Sequence, residues 1–195
     1  GMMIIVNITS ETGLFNFLAI WAAQKVKAQP IALLVVLSTI TMVCSALLDN
    51  VTTVLLTVPI TFSITSQLKV DVMPYLISQI LASNIGGTAT LIGDPPNIMI
   101  GSAANLSFVD FLKNTGVAVV LVIVFMIVMM RFVYKKEIEV EGLDTSKIMN
   151  LDPDKSITDK PLLIKGVVVI VLVILGFIFH DQIGMETSVI ALTAA

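Results

Sequence analysis

Long apolar runs with almost no charged side chains dominate this sequence of 195 residues. Residues 31–48 contain only Ser and Thr as polar members, and residues 116–130 carry no charge at all. Charged residues make up 13% of the chain, about half of the roughly 25% that is usual in soluble domains. Runs of this length and composition are typical of helices that cross a lipid bilayer. We therefore expect an all-α, polytopic membrane protein.

Bulk composition excludes several other classes of protein. The net charge of −3 provides no basic face for nucleic acid, and the single cysteine allows neither an internal disulfide nor a thiolate metal cluster. The only histidine, His180, excludes a histidine-rich metal site. We expect no cofactor and no nucleic-acid partner. The chain opens and closes inside apolar runs, at 1–6 and 188–195, which indicates a piece of a longer protein.

Apolar runs and polar breaks divide the chain into three parts. The first part is 1–134, the second is a polar loop at 135–161, and the third is 162–195, which begins with a span and a short turn at His180. A polar connection is expected at 103–114. Within the first part we predict a surface helix at 14–27 with Trp21 at headgroup level, a helical hairpin at 31–64, a broken helix at 75–101 and a spanning helix at 116–134.

The hairpin at 31–64 is predicted to be re-entrant because its second limb is short. From Thr52 to Ile64 there are thirteen residues, about 20 Å of helix. The hydrocarbon core of a bilayer is roughly 30 Å thick. Two limbs of unequal length that meet at a polar tip therefore favour a hairpin that enters and leaves on one side.

The distribution of basic residues predicts the orientation in the membrane. Seven of the eleven Lys and Arg residues lie between 131 and 165. Because basic residues concentrate in cytoplasmic loops, we place the loop at 135–161 in the cytoplasm and the protein in the cell inner membrane.

Two acidic residues lie where lipid-embedded chain is expected. Of the 14 acids in the sequence, only Asp49 and Asp94 fall within apolar segments. An ionised carboxylate at that depth costs roughly 2.5–3.5 kcal/mol even on lenient scales. Their neighbours are short polar side chains rather than Lys or Arg, so a proton or a sodium ion is the natural counter-charge.

The chain around Asp94 is predicted to be non-helical. Three glycines and two prolines lie between residues 86 and 96. Pro95 and Pro96 have no N–H, and the residue before a proline is pushed toward extended backbone, so the helix must break near 91–94. Non-helical chain in a membrane is tolerated only inside protein or along a cavity. Its free carbonyls can bind cations, and Asp94 is predicted to cap the helix that restarts at Pro95.

Structural explanations compete with these functional ones. Glycine and proline are common in membrane helices, and Asp49 can be an ordinary helix cap at the membrane surface. Thr52, Thr53, Thr88 and Thr90 are weaker candidates, because such hydroxyls often bond only to carbonyls of their own helix.

Two joined motifs resemble a known family. The segments LLDNVTTVLLTVPI and NIGGTATLIGDPPNIMIGSA are similar to the first-repeat signature of the ion transporter superfamily, in the branch of arsenite permeases, NhaD-type sodium/proton antiporters and the melanosomal P protein. The opening segment GMMIIVNITSETGLFNFLAIWAA also resembles that branch. The resemblance covers about residues 1–110 well.

The resemblance implies a secondary carrier of the elevator type, built from two inverted repeats that each hold a re-entrant hairpin and an interrupted helix. Residues 162–195 would begin a truncated second repeat, so we expect no transport by this fragment alone and a possible homodimer of the longer protein. The solute would be an inorganic ion or small anion, coupled to H⁺ or Na⁺. The predicted binding residues are Asp49, Asn50, Thr52, Thr53, Asn84, Gly86, Gly87, Thr88, Gly93, Asp94, Pro95 and Asn97.

Two rival functions remain open. A sodium-coupled dicarboxylate or citrate symporter of the same superfamily is the nearer one, although acids at 49 and 94 depart from the dicarboxylate pattern and should repel a dianion. An intramembrane aspartyl protease could use the same two acids, but position 91 is Leu where its Gly-x-Gly-Asp pattern has glycine. We therefore predict a transporter, an antiporter or efflux permease of the arsenite permease or NhaD type, and not an enzyme.

Overall fold

The computed structural model describes residues 2–104, 106–138, 145–179 and 187–195, and every regular element in them is helical. The predicted all-α class is therefore confirmed. The elements are α1 (Met2–Glu11), α2 (Leu14–Lys25), α3 (Pro30–Leu47), α4 (Asn50–Leu68), α5 (Met73–Gly87), α6 (Pro95–Ala104), α7 (Phe108–Val133), α8 (Lys135–Ile138), α9 (Ser146–Met149), a 3₁₀ turn (Pro153–Ser156), α10 (Lys160–Ile178) and α11 (Thr187–Thr193).

Four of these helices, α3, α4, α7 and α10, are long and apolar enough to cross a membrane. Helices α1 and α2 form a fifth candidate span that is bent by 60°. On α2 the indole of Trp21 is 47% exposed and lies 5.6 Å from the Lys25 Nζ, while Ala22 and Ala23 on the other face are buried. The protein is thus a multi-pass membrane protein.

The second limb of the hairpin is longer than predicted. Helix α4 contains 19 residues, about 28 Å, because it continues through Pro59 and beyond Ile64 to Leu68. The hydroxyl of Thr65 donates to the Thr61 carbonyl at 2.8 Å and so fits the helix without breaking it. The predicted length of this limb was wrong, and the re-entrant placement stays a prediction that limb length no longer supports.

Helix α7 begins earlier than predicted, inside the supposed connection at 103–114. Ser107 and Asp110 form a capping box in which the Ser107 hydroxyl accepts from the Asp110 N–H at 3.1 Å and the Asp110 carboxylate accepts from the Ser107 N–H at 3.1 Å. This box satisfies the first N–H groups and starts a helix of 26 residues. The part of the predicted loop at 139–144 and the turn predicted at His180 lie outside the described residues.

Helix α5 packs along the whole of α3, and this packing positions the site. At one end the Tyr75 hydroxyl donates to the Pro30 carbonyl at 3.3 Å, and at the other the Thr90 hydroxyl donates to the Ala46 carbonyl. The two helices therefore run parallel, with α4 antiparallel to both. As a result the hairpin tip at 48–49 lies beside the chain that follows α5.

Candidate functional site

The broken helix is present and its break is longer than predicted. Helix α5 ends at Gly87 and α6 begins at Pro95, so residues 88–94 are not helical. The prediction of a break at 91–94 is confirmed. It extends further toward the N-terminus, since α5 ends at Gly87, whose backbone lies against that of Gly93.

Asn97 holds the two ends of the break together. Its side-chain amide donates to the Gly87 carbonyl at 3.1 Å and to the Thr90 carbonyl at 2.9 Å. Both acceptors are carbonyls freed by the break. The predicted role of Asn97 as an oxygen ligand concerns its other atom, Oδ1, which has no hydrogen-bond partner among the described residues.

Thr90 connects the break to the hairpin, and sequence reasoning ranked it too low. It is 3% exposed, and its hydroxyl donates to the Ala46 carbonyl and accepts from the Gly93 N–H at 3.1 Å. Thr90 lies in a non-helical segment, where no carbonyl of its own helix is placed to accept from its hydroxyl. Its position in the predicted break is the sequence signal that could have identified Thr90. Thr115 of α7 lies beside the same segment, with its hydroxyl 3.0 Å from the Ala89 carbonyl oxygen and 2.6 Å from the Phe111 carbonyl oxygen of its own helix.

Asp49 caps helix α4 at the hairpin tip. Its carboxylate accepts from the Thr52 N–H at 2.8 Å and from the Thr52 hydroxyl at 2.6 Å. The alternative reading of Asp49 as a helix cap is therefore correct. A cap does not exclude ion binding, because a carboxylate has about four lone-pair positions and these two bonds occupy only part of them.

Asn50 brings the hairpin tip into contact with the break. Its amide nitrogen lies 3.4 Å from Asn84 Oδ1, and its own Oδ1 lies against Gly87, where a Cβ would collide with it. The Ser45 hydroxyl donates to the Ser83 carbonyl at 2.6 Å and lies 3.1 Å from Asn50 Oδ1. Ser45 was missed from the sequence because it lies in the apolar run before the tip.

Asp94 is half-buried, and its carboxylate has no hydrogen-bond or ion-pair partner among the described residues. The predicted capping role is not realised. Pro95 and Pro96 offer no N–H, and the first available one, on Asn97, donates to the backbone carbonyl of Asp94 at 3.0 Å. Among the described residues Asp49 also has no ion pair, so neither acid has a fixed counter-charge there.

The remaining predicted site residues are placed in different surroundings. Gly86 packs against the backbone of Met42 in α3 and serves helix contact. Thr88 is exposed and its hydroxyl donates to the Ile85 carbonyl at 2.7 Å. Pro95 is exposed, whereas Thr53 is fully buried within the helix bundle.

The donor set at the tip and break is poor for transition metals. Within the described residues no group of three or more His, Cys, Asp or Glu side chains could hold a metal ion. Carboxylate, amide and carbonyl oxygens are hard ligands, which suit protons and alkali or alkaline-earth cations.

The fold and the site define the class as multi-pass helical membrane proteins in which a polar hairpin tip lies against a broken helix. The chain belongs to the Citrate transporter (CitMHS) family, which it matches over residues 1–195.

Among curated relatives, it is 42% identical over 195 residues to the uncharacterized transporter Rv2685 of Mycobacterium tuberculosis, covering 100% of this chain and 45% of that protein. It is 40% identical over 195 residues to the 46 kDa membrane protein of Mycobacterium leprae, covering 100% of this chain and 46% of that protein. The chain thus spans less than half the length of these relatives. It is also 39% identical over 139 residues to the human P protein, covering 69% of this chain and 17% of that protein. The resemblance read from the two motifs is confirmed.

Proposed function

We propose that the protein containing this chain is a secondary active transporter in which protons or sodium ions drive the movement of a second solute. The hairpin tip and the break supply one part of its ion-binding site. The observation that carries this proposal is the Asp94 carboxylate, half-buried and without a hydrogen-bond or ion-pair partner among the described residues.

The energetic reason is the cost of an isolated negative charge at membrane depth, roughly 2.5–3.5 kcal/mol on lenient scales. A bound proton removes the charge, and a sodium ion compensates it while taking further oxygens as ligands. Asn97, which carries an Oδ1 available as a ligand, follows Asp94 by three residues in the chain. Asn50 of the hairpin tip places its side-chain oxygen against Gly87, at the start of the break. Neutral oxygens of this kind complete a cation site without adding charge.

Exchange is the mode of transport that this charge arrangement favours. Among the described residues, the site holds two acids and no Lys or Arg paired with them. Moving such a site across the membrane costs more free energy when it is empty than when cations are bound. An antiporter or efflux permease of the arsenite permease or NhaD type, with a small inorganic ion as solute, fits this constraint.

Citrate is the second candidate solute, and the family description favours it. A citrate anion would meet Asp49 and Asp94 with no described Lys or Arg beside them. Electrostatics therefore require that citrate enter together with cations, as a symport, and never alone.

Solute and coupling ion can be separated with the full-length protein in proteoliposomes. A proton or a sodium gradient is imposed, and the uptake of labelled arsenite, sodium or citrate is followed with the other solutes as competitors. The proposal requires that one gradient accelerates the movement of one solute. Transport of every solute at the rate of empty vesicles under both gradients would contradict it.

The orientation is part of the same proposal. We place the loop at 135–161 in the cytoplasm and the protein in the inner membrane. In a cysteine-free background, Lys155→Cys should be protected from an impermeant thiol reagent in intact cells, whereas Lys113→Cys should react. The opposite pattern would invert the topology.

A further inference from the structure

Helices α3, α4 and α5 enclose a polar interior beneath the hairpin tip. None of the buried hydroxyl and amide residues of this interior is more than 6% exposed. Ser45 of α3 donates to the Ser83 carbonyl of α5, and Thr61 of α4 lies at hydrogen-bonding distance from Gln79 of α5. This polar interior consists of Ser38, Thr41 and Ser45 of α3, Thr53, Thr57, Thr61 and Thr65 of α4, and Ser78, Gln79 and Ser83 of α5.

Most of these hydroxyls are satisfied by their own helix. Thr57 donates to the Thr53 carbonyl at 3.0 Å, Thr61 to the Thr57 carbonyl at 3.0 Å and Thr41 to the Leu37 carbonyl at 2.8 Å. Such bonds are the ordinary way in which Ser and Thr are accommodated in membrane helices. They require no further partner inside the bundle.

Three atoms do not follow this pattern. Ser38 Oγ, Thr53 Oγ1 and Gln79 Nε2 are fully buried and have no hydrogen-bond partner among the described residues. A buried polar atom without a partner costs as much as a lost hydrogen bond, and three in one small bundle is a large penalty. Ordered water is the usual partner of such groups in proteins.

Reassigning the Gln79 amide does not remove its unpaired atom. The Thr61 hydroxyl lies 2.9 Å from Gln79 Oε1, but its single proton is also claimed by the Thr57 carbonyl. If the amide is turned over, Nε2 donates to the Thr61 oxygen and Oε1 becomes the atom without a partner. In either orientation one polar atom of Gln79 faces the polar interior.

The register of α4 against α5 places these atoms close to the site. Thr61 is level with Gln79, and Asn50 is level with Gly87. Since the two helices run antiparallel, Thr53 lies between these levels, directly below the tip. Thr53 is also one turn from Asp49, whose carbonyl accepts from the Thr53 N–H at 3.1 Å.

We propose that the polar interior holds ordered water molecules bound to Ser38, Thr53 and Gln79, and that these waters form an internal relay through which protons exchange with Asp49. The relay rests on the proposed cation coupling at the tip, whereas the hydration does not. Proton movement along it balances at every step: each water forms an O–H bond with a proton from one neighbour and breaks another O–H bond to pass a proton to the next.

Hydration is tested by a high-resolution structure of the full-length protein in lipid nanodiscs. Solvent density within hydrogen-bonding distance of Thr53 Oγ1 and of the unpaired Gln79 atom is the expected result. Thermal unfolding gives a second measurement. If water satisfies Thr53, Thr53→Val should leave the midpoint unchanged or lower it, whereas in a dry interior the same change removes an unpaired atom and should raise the midpoint.

The relay is tested by gradient-driven transport in the same variants. Thr53→Val should slow uptake several-fold without changing the KM, while Thr39→Val should not, because Thr39 is an exposed residue of α3 whose hydroxyl already donates to the Val35 carbonyl at 2.7 Å. A map without solvent density at these atoms, or a raised unfolding midpoint of Thr53→Val, overturns the hydration. If solvent density is present but Thr53→Val transports at the normal rate, the relay is overturned and the proposed function is unaffected. If the unsubstituted protein shows no cation coupling, the proposed function is overturned instead.

Discussion

Gly87 and Gly93 bring the two ends of the break into direct backbone contact. A Cβ added at Gly93 would lie 2.5 Å from the Gly87 carbonyl oxygen and 2.9 Å from the Gly87 Cα. Backbone atoms cannot move aside as a side chain can, so the loop at 88–94 requires glycine at position 93. At Gly87 an added Cβ would instead collide with the side-chain oxygen of Asn50 and lie 3.0 Å from the Gly93 carbonyl oxygen. The contact between the two glycines turns an interrupted helix into a defined loop facing the hairpin tip.

The first prediction concerns that contact. Gly93→Ala should destabilise the full-length protein by about 1–3 kcal/mol, the usual cost of overpacking, and should abolish transport. The measurements are thermal unfolding in detergent and uptake in proteoliposomes. Gly116→Ala is the matched control, since its nearest heavy atom, Leu112 Cδ1, would be 3.7 Å away. Equal behaviour of the two variants would show that the Gly87–Gly93 contact is not needed.

The second prediction concerns Thr90. Thr90→Val keeps the shape but leaves the Ala46 carbonyl and the Gly93 N–H without their partner, a loss of about 1–3 kcal/mol. Thr90→Ser retains the hydroxyl and should recover most of the stability and of the uptake rate. If valine and serine behave alike, the hydroxyl does not hold the break against the hairpin.

The third prediction concerns the amide of Asn97. Asn97→Asp has almost the same shape, but an ionised carboxylate only accepts hydrogen bonds and would face the Gly87 and Thr90 carbonyls. We expect it to lose at least as much stability as Asn97→Ala, roughly 1–3 kcal/mol. Denaturant or thermal unfolding measures the difference. A fully stable Asn97→Asp would mean that these two bonds do not order the break.

The fourth prediction separates the two roles of Asp49. Asparagine caps helices as well as aspartate does, so Asp49→Asn should keep the stability of α4, whereas Asp49→Ala should cost about 0.5–2 kcal/mol. If the charge of Asp49 binds the coupling ion, both variants lose gradient-driven transport. Normal transport by Asp49→Asn would restrict Asp49 to capping.

The sequence was sufficient to predict features that depend on local chain chemistry. Two prolines and three glycines predicted the break, and isolated acids in apolar runs identified both Asp49 and Asp94. Features set by tertiary contacts were not predictable in this way. The role of Thr90 depends on the carbonyl of Ala46, which lies 44 positions away along the chain.

Asp94 shows the limit of local rules most directly. Its position before a proline predicted a helix cap, yet the two prolines that start α6 also remove the N–H groups that a cap would satisfy. The carboxylate is left without a described partner as a consequence. The same residues that predicted the break therefore free the acid on which the proposed cation site depends.

The central claim is that the Asp94 carboxylate binds the coupling cation, and Asp94→Asn tests it most directly. Asp71→Asn is the control, since Asp71 is an exposed acid that accepts from the Met73 N–H at 2.9 Å. In proteoliposomes with the full-length protein, Asp94→Asn should fold with an unchanged unfolding midpoint and lose proton- or sodium-driven transport, while Asp71→Asn transports normally. Gradient-driven transport by Asp94→Asn at the rate of the unsubstituted protein would contradict the claim.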